Sequence, residues 1–307
     1  MRARALLTAI AVGLFVGLLP WTAVGQASQR EADEAARQRA RGLLAGELEA
    51  GNYPALLRML AASFEGSSTL RVRDAAEILI EASAEQLARL EDAAPAQDLT
   101  AEPKRFLSAL RARAEGRWAA AFAAWSELLR TRAAWFVAVD RGGRDALRRA
   151  RAGDDSGLPL LEQTRAQQPE ALWAISNLGL GQRLLGRYEA AMESYRKALE
   201  LGGRRAGILN ELALVHLARE DEESAERLLR EGSADTKDPA GRGTAQGNLA
   251  RVLMRRADRL PASQISKARE LRREALVMLR AALEQDPSRT RSRYWMERLL
   301  KGLPKGT

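Results

Sequence analysis

Apolar residues recur at intervals of three and four along most of this chain, and the pattern is clearest at 172–203, LWAISNLGLGQRLLGRYEAAMESYRKALELGG. There two helical stretches meet at Gly186-Arg187-Tyr188, and the spacing predicts a helix-turn-helix hairpin whose apolar stripe is too wide to bury within one hairpin. Such a unit requires stacked neighbours. The same register continues downstream: Leu212, Ala213, Ala225, Leu229 and Gly232 each stand 34 residues after Leu178, Gly179, Ala191, Tyr195 and Ala198.

A third copy starts at Asn248-Leu249-Ala250 and resumes at Ala275, Leu279 and Ala282 before Asp286-Pro287. Its two halves are 25 residues apart where 12 are expected, which places 13 extra residues around 258–273. Upstream, Gly51-Asn52-Tyr53 and Gly116-Arg117-Trp118 repeat the turn signature, each before apolar residues at helical spacing: Leu56 and Leu60, then Ala121, Trp125 and Leu128. The intervals predict degenerate hairpins at 68–98 and 137–169, blurred by the linker from Asp92 to Pro103 and by the loop Gly153-Asp154-Asp155-Ser156-Gly157.

The spacing of Leu178, Gly179, Ala191, Tyr195 and Ala198 resembles the tetratricopeptide repeat (TPR) family. That resemblance implies an all-α, right-handed superhelical solenoid of helical hairpins, with small residues at Gly179 and Ala191 and the Tyr195 ring between paired helices. It divides the chain into looser hairpins over 28–136, a connecting segment at 137–171, the regular array at 172–288, and a basic capping helix and tail at 289–307, where Tyr294, Trp295, Leu299 and Leu300 cover the last repeat. It also implies a concave face built from the first helices, a groove for a partner protein or peptide lined by Asn177, Arg183, Asn210, Glu211, Leu214, Asn248, Arg251 and Arg255. Amides and guanidinium groups there suit an extended peptide backbone or a terminal carboxylate. Ser176 and Gly247 stand where the lysine clamp of some relatives has a cation, which speaks against recognition of a carboxylate terminus. Trp173 and Trp295 read as packing between repeats.

Composition agrees with helix: Ala, Leu, Arg and Glu dominate, and no long alternation of β-branched residues suggests a sheet. The first residues read differently. Arg2 and Arg4 precede an apolar run at 5–21, and small residues follow at Ala23, Gly25 and Ala27, the pattern of a secretory signal peptide over 1–25 with cleavage after Gly25. The alternative is an uncleaved inner-membrane anchor over 5–21. The chain has no cysteine, which excludes lipoprotein acylation and disulfides. The expected location is periplasmic or otherwise exported.

The formal charge of +9 is unevenly spread. Residues 255–307 carry 14 Lys and Arg against 6 Asp and Glu, a net of +8, while 28–254 are near neutral. A basic patch is expected at Arg256, Arg259, Lys267, Arg269, Arg272 and Arg273, a candidate contact for an anionic membrane surface or polymer. The bland reading is a solvated face in an arginine-rich chain, since 6 of its 49 basic residues are lysine. No nucleic-acid partner is expected, because the export signal opposes an RNA-binding helical repeat.

Nothing in the sequence nominates a catalytic residue, cofactor or metal. His216 is the sole histidine and falls at a core position, with no cysteine or second histidine to complete a site. Gly153 to Gly157 reads as a turn, and the acidic run Glu220 to Glu223 as a helix start. The resulting expectation is a non-enzymatic scaffold or adaptor of the bacterial cell envelope, or alternatively an envelope assembly factor docking through its basic segment.

Overall fold

The computed structural model describes residues 31–68, 70–131, 134–202 and 205–301, and among these every regular element is helical. The expected signal segment 1–25, the anchor alternative 5–21 and the tail beyond Lys301 lie outside the described residues. No described helix is long and apolar enough to cross a membrane. The chain divides into two units, Met1–Gly142 and Gly143–Thr307.

In the first unit, helices α1 (31–49), α2 (Tyr53–Glu65), α3 (Val72–Leu79), α4 (Ala84–Ala93), α5 (Ala101–Ala114) and α6 (Trp118–Leu128) are followed by the short α7 (Trp135–Val137) and a π-helical turn, Ala138–Gly142. Local chemistry sets the boundaries. Pro54 opens α2, where a missing N–H costs nothing. Ser83 and Gln86 form a reciprocal capping box that starts α4, the Gln86 amide donating to Ser83 Oγ at 3.1 Å and the Ser83 amide to Gln86 Oε1 at 2.9 Å. Leu56, Leu57, Leu60, Leu87, Leu90, Leu107 and Leu128 are buried around an aromatic chain, with Phe106 edge-on to both Phe64 and Trp125 at centroid distances of 5.7 and 6.0 Å.

The second unit holds α8 (Gly143–Arg151), α9 (Leu158–Gln167), α10 (Leu172–Leu184), α11 (Tyr188–Leu201), α12 (Arg205–Ala218), α13 (Glu222–Ala234), α14 (Pro239–Arg259), α15 (Ile265–Gln285) and α16 (Thr290–Lys301). Consecutive helices pair as hairpins, α10 with α11, α12 with α13 and α14 with α15, and the first helices α12 and α14 pack on each other. The registered positions are buried throughout: Ala191, Tyr195, Ala198, Leu212, Ala213, Ala225, Leu229, Leu249, Ala250, Ala275 and Leu279 belong to one core. The all-α helical-hairpin repeat is therefore the fold, TPR-like in its repeat length and in its small-residue contacts. A Cβ on Gly179 would stand 2.9 Å from Tyr195 Cε1, so the helix pair closes only because that position is bare.

The stretch at 258–273 forms no separate element. It comprises the end of α14, a short 3-10 link at Ala262–Gln264 and the start of α15, and both helices of this hairpin are 21 residues long. The extra residues lengthen the pair.

One turn recurs between helices. Gly51, Gly116, Gly153 and Gly186 are left-handed, with φ of 69°, 71°, 82° and 74°, and the amide after each reaches back five residues: Asn52 to Glu47, Arg117 to Ala112, Asp154 to Arg149 and Arg187 to Gln182, at 2.8 to 3.0 Å. This is the Schellman closure of a helix C-terminus. Glu220 adopts the same conformation at φ 63°, with Asp221 N donating to His216 O at 2.9 Å. The acidic run thus splits, because Glu220 ends α12 in the turn and Asp221 caps α13, accepting from Ser224 N at 3.0 Å.

Candidate functional site

The first helices of three successive hairpins, α10, α12 and α14, line a groove of about 580 Å³. Its walls are Leu172, Trp173, Ser176, Asn177 and Leu180 from α10, Gly207, Ile208, Asn210 and Glu211 from α12, and Ala240, Gly241 and Thr244 from α14, with Tyr195 beneath and Arg289 at one edge. Mixed apolar walls with a few fixed polar groups are the general character of a ligand-binding cleft.

The polar groups form a chain across the three helices. Asn248 Nδ2 donates to Asn210 Oδ1 at 2.6 Å, Asn210 Nδ2 donates to Glu211 Oε1 at 3.3 Å, and Arg183 Nη2 meets Glu211 Oε2 at 3.0 Å. Asn210 and Asn248 are buried. These amides therefore hold α12 to α14 rather than standing open to a ligand. The half-buried Glu211 and Asn177 face the groove directly. Leu214 and Arg251 are half-buried and Arg255 is exposed.

Tyr195 is 1% exposed, and its hydroxyl lies near Arg183 and Glu211 without forming a hydrogen bond of good geometry. Burial, and then the Glu211 carboxylate, push its pKa up.

Of the predicted set, Asn177, Asn210 and Glu211 line this groove, whereas Arg183, Leu214, Asn248, Arg251 and Arg255 are not among its walls. Trp173 is 41% exposed and lines the groove. Arg289 braces the groove edge, Nη1 donating to Thr244 Oγ1 and Nη2 to Ala240 O, both at 3.0 Å. The register gives the position of Trp173, at the second residue of α10, but not its exposure; Arg289 falls after the last repeat and has no register to reveal it.

Glycines set the distance between α12 and α14. Asp238 is buried at the start of α14, and its Oδ1 accepts from Gly241 N at 3.0 Å while Oδ2 accepts from Gly207 N at 2.9 Å. A Cβ at Gly241 would fall 2.2 Å from Asp238 Oδ2 and 2.3 Å from Gly207 N. That close approach needs glycine at position 241.

The predicted basic patch is partly neutralised. Arg256 pairs with Glu226 at 2.9 Å, Arg259 with Glu222 at 2.9 Å and Arg272 with Asp258 at 2.8 Å. Lys267, Arg269 and Arg273 are exposed. His216 does not simply pack: it is half-buried and its Nδ1 lies 2.9 Å from Asp221 Oδ2, beside the turn it helps to close. In the loop at 153–157, Arg149 Nε donates to Asp154 Oδ2 at 2.8 Å and Ser156 N to Asp154 Oδ1 at 2.9 Å, while Arg187 pairs with Asp155 at 2.6 Å. Among the described residues, no three His, Cys, Asp or Glu side chains gather as a metal site.

No protein-family model and no curated protein matches the chain. Among solved structures it is similar to residues 41 to the end of MamA from Desulfovibrio magneticus RS-1, with 18% identity over 64% of this chain and 93% of that one and a TM-score of 0.35. It is also similar to the crystal structure of a MamA protein, with 15% identity over 62% of this chain and 93% of that one and a TM-score of 0.38.

Proposed function

We propose that this chain is a non-enzymatic interaction scaffold of the TPR type, exported to the cell envelope, that holds a segment of a partner protein in the groove of α10, α12 and α14. The observation that carries the reading is the exposed Trp173 in a groove built from successive first helices. A large amphipathic ring held on a packed helix offers contact area at little ordering cost. The signal-peptide-like residue pattern at 1–25 supports the envelope assignment, and the ion pairs on Arg256, Arg259 and Arg272 favour groove capture over docking through the basic segment.

Site-specific photo-crosslinking in cells tests the groove. A photoreactive residue at Trp173 is expected to trap a discrete partner, whereas one at Val277, 57% exposed on the second helix α15, traps none. Equal trapping at both positions, or none at Trp173, would refute the groove. Mass spectrometry of the exported chain tests the location: a mature N-terminus at Gln26 supports it, and an intact Met1 in the inner-membrane fraction favours the anchor at 5–21.

A further inference from the structure

Three guanidinium groups where α14 meets α16 have no counter-charge. Arg251 and Arg255 stand one turn apart on α14, and Arg291 comes from α16. The two helices touch beside them, since a Cβ on Gly247, one turn before Arg251, would lie 3.0 Å from the hydroxyl of Ser292, the neighbour of Arg291. Among the described residues, no carboxylate pairs with any of the three, and the buried Arg251 Nε has no hydrogen-bond partner. Elsewhere in this unit Arg183, Arg219, Arg230, Arg256 and Arg259 each face a carboxylate.

A half-buried cation beside two like charges destabilises the free protein. Burial, and then the charges of Arg255 and Arg291, hold the Arg251 pKa below its ordinary value. An anion at this position would relieve both effects. Arg251 is half-buried, while Arg255 and Arg291 are exposed. Arg251 shares its register position with Leu180 and Leu214, so the face changes from apolar to cationic along the array.

We infer that Arg251, Arg255 and Arg291 bind the acidic side chains of a partner peptide, a reading that rests on the groove of α10, α12 and α14. The planar forks of arginine suit carboxylates in paired hydrogen bonds. The partner segment would carry apolar residues for the α10 and α12 walls and Glu or Asp for α14 and α16.

Fluorescence anisotropy with a labelled Glu-Glu-Leu-Glu-Glu-Leu peptide tests this with the mature chain. Saturable binding is expected, weakened roughly tenfold or more by Arg251→Gln and by a double Arg255→Gln, Arg291→Gln variant, and unchanged by Arg269→Gln with Arg273→Gln. The Gln-for-Glu peptide should not bind. Arg251→Met should raise the unfolding midpoint of the unliganded chain while abolishing peptide binding, which separates a binding defect from a folding defect. Unchanged affinity in Arg251→Gln, equal displacement of the peptide by inorganic phosphate, or binding to phosphatidylglycerol vesicles without binding to the peptide would each overturn the inference. Loss of acidic-peptide specificity with Trp173 crosslinking intact overturns this site alone; loss of crosslinking overturns the groove.

Discussion

The Asp238 carboxylate ties the backbone amide of Gly207 to the first turn of its own helix, accepting from Gly207 N at 2.9 Å and from Gly241 N at 3.0 Å. One buried side chain thus satisfies donors at two helix N-termini and fixes the spacing of α12 and α14. Asp238→Ala should lower stability by about 2 kcal/mol in urea unfolding, and Gly241→Ala by about 2–3 kcal/mol, because its methyl would enter the space of Asp238 Oδ2 and Gly207 N. A loss within error for both would show that the two helix ends are not held here.

Glu220 pays for its place in the repeat. It stands 34 residues after Gly186 and adopts the same left-handed turn, φ 63° against 74°, where a side chain costs about 1 kcal/mol. Glu220→Gly is therefore expected to raise stability by about 0.5–1 kcal/mol after the added freedom of glycine in the unfolded chain is counted. Gly186→Ala should do the reverse. Denaturation midpoints decide both.

The legible part of this fold is what the register carries. Gly179, Ala191, Tyr195 and their counterparts in the next copy mark positions where helices meet, and steric demand at those contacts leaves few acceptable residues. The turn at Glu220 hid from a reading that looked for glycine, although the 34-residue spacing points to it. The long α14 and α15 were ambiguous because extra residues in a helix pair lengthen either the helices or the link, and apolar spacing alone does not choose. In the groove, the sequence places Asn210 and Asn248 on the inner face but cannot show that they satisfy each other. Arg289 immediately precedes α16 and Arg291 lies in it, both outside the repeat, so only the packed structure brings them to α14.

Acid should loosen the turn between α12 and α13. The Ser224 amide, the Ser224 side chain and then His216 hold the Asp221 pKa near 2, below the usual 3.8. Because the folded value lies below the unfolded one, the stabilisation is complete above the unfolded pKa and is lost as pH falls through the folded value. Urea midpoints measured from about pH 5 to pH 2 should fall less steeply in Asp221→Asn than in the parent chain. Parallel slopes would remove Asp221 from the acid response.

Tyr195 separates packing from polarity. Its ring fills the space left bare at Gly179, while its hydroxyl is buried without a hydrogen bond of good geometry. Removing an unsatisfied hydroxyl relieves its desolvation, so Tyr195→Phe should be neutral or stabilising by about 1 kcal/mol. Tyr195→Ala deletes the ring and should cost about 3–5 kcal/mol. A Tyr195→Phe variant destabilised by more than about 1 kcal/mol would reveal a hydrogen bond in solution.

Asn210 and Asn248 separate a scaffold role from a binding role on the same groove. Each is buried, and the 2.6 Å bond between them joins α12 to α14. Truncating either to Ala strands the other amide and should cost about 1–3 kcal/mol. If the pair acts as a unit, the double Asn210→Ala, Asn248→Ala variant should lose less than the sum of the single losses, with a coupling of about 1 kcal/mol. Crosslinking from position 173 should persist in the double variant under conditions where it remains folded, because that position lines the groove while the amide pair holds α12 to α14. Additive losses, or loss of crosslinking with the fold intact, would mean instead that the amides meet the partner directly and that their mutual bond opens when it arrives.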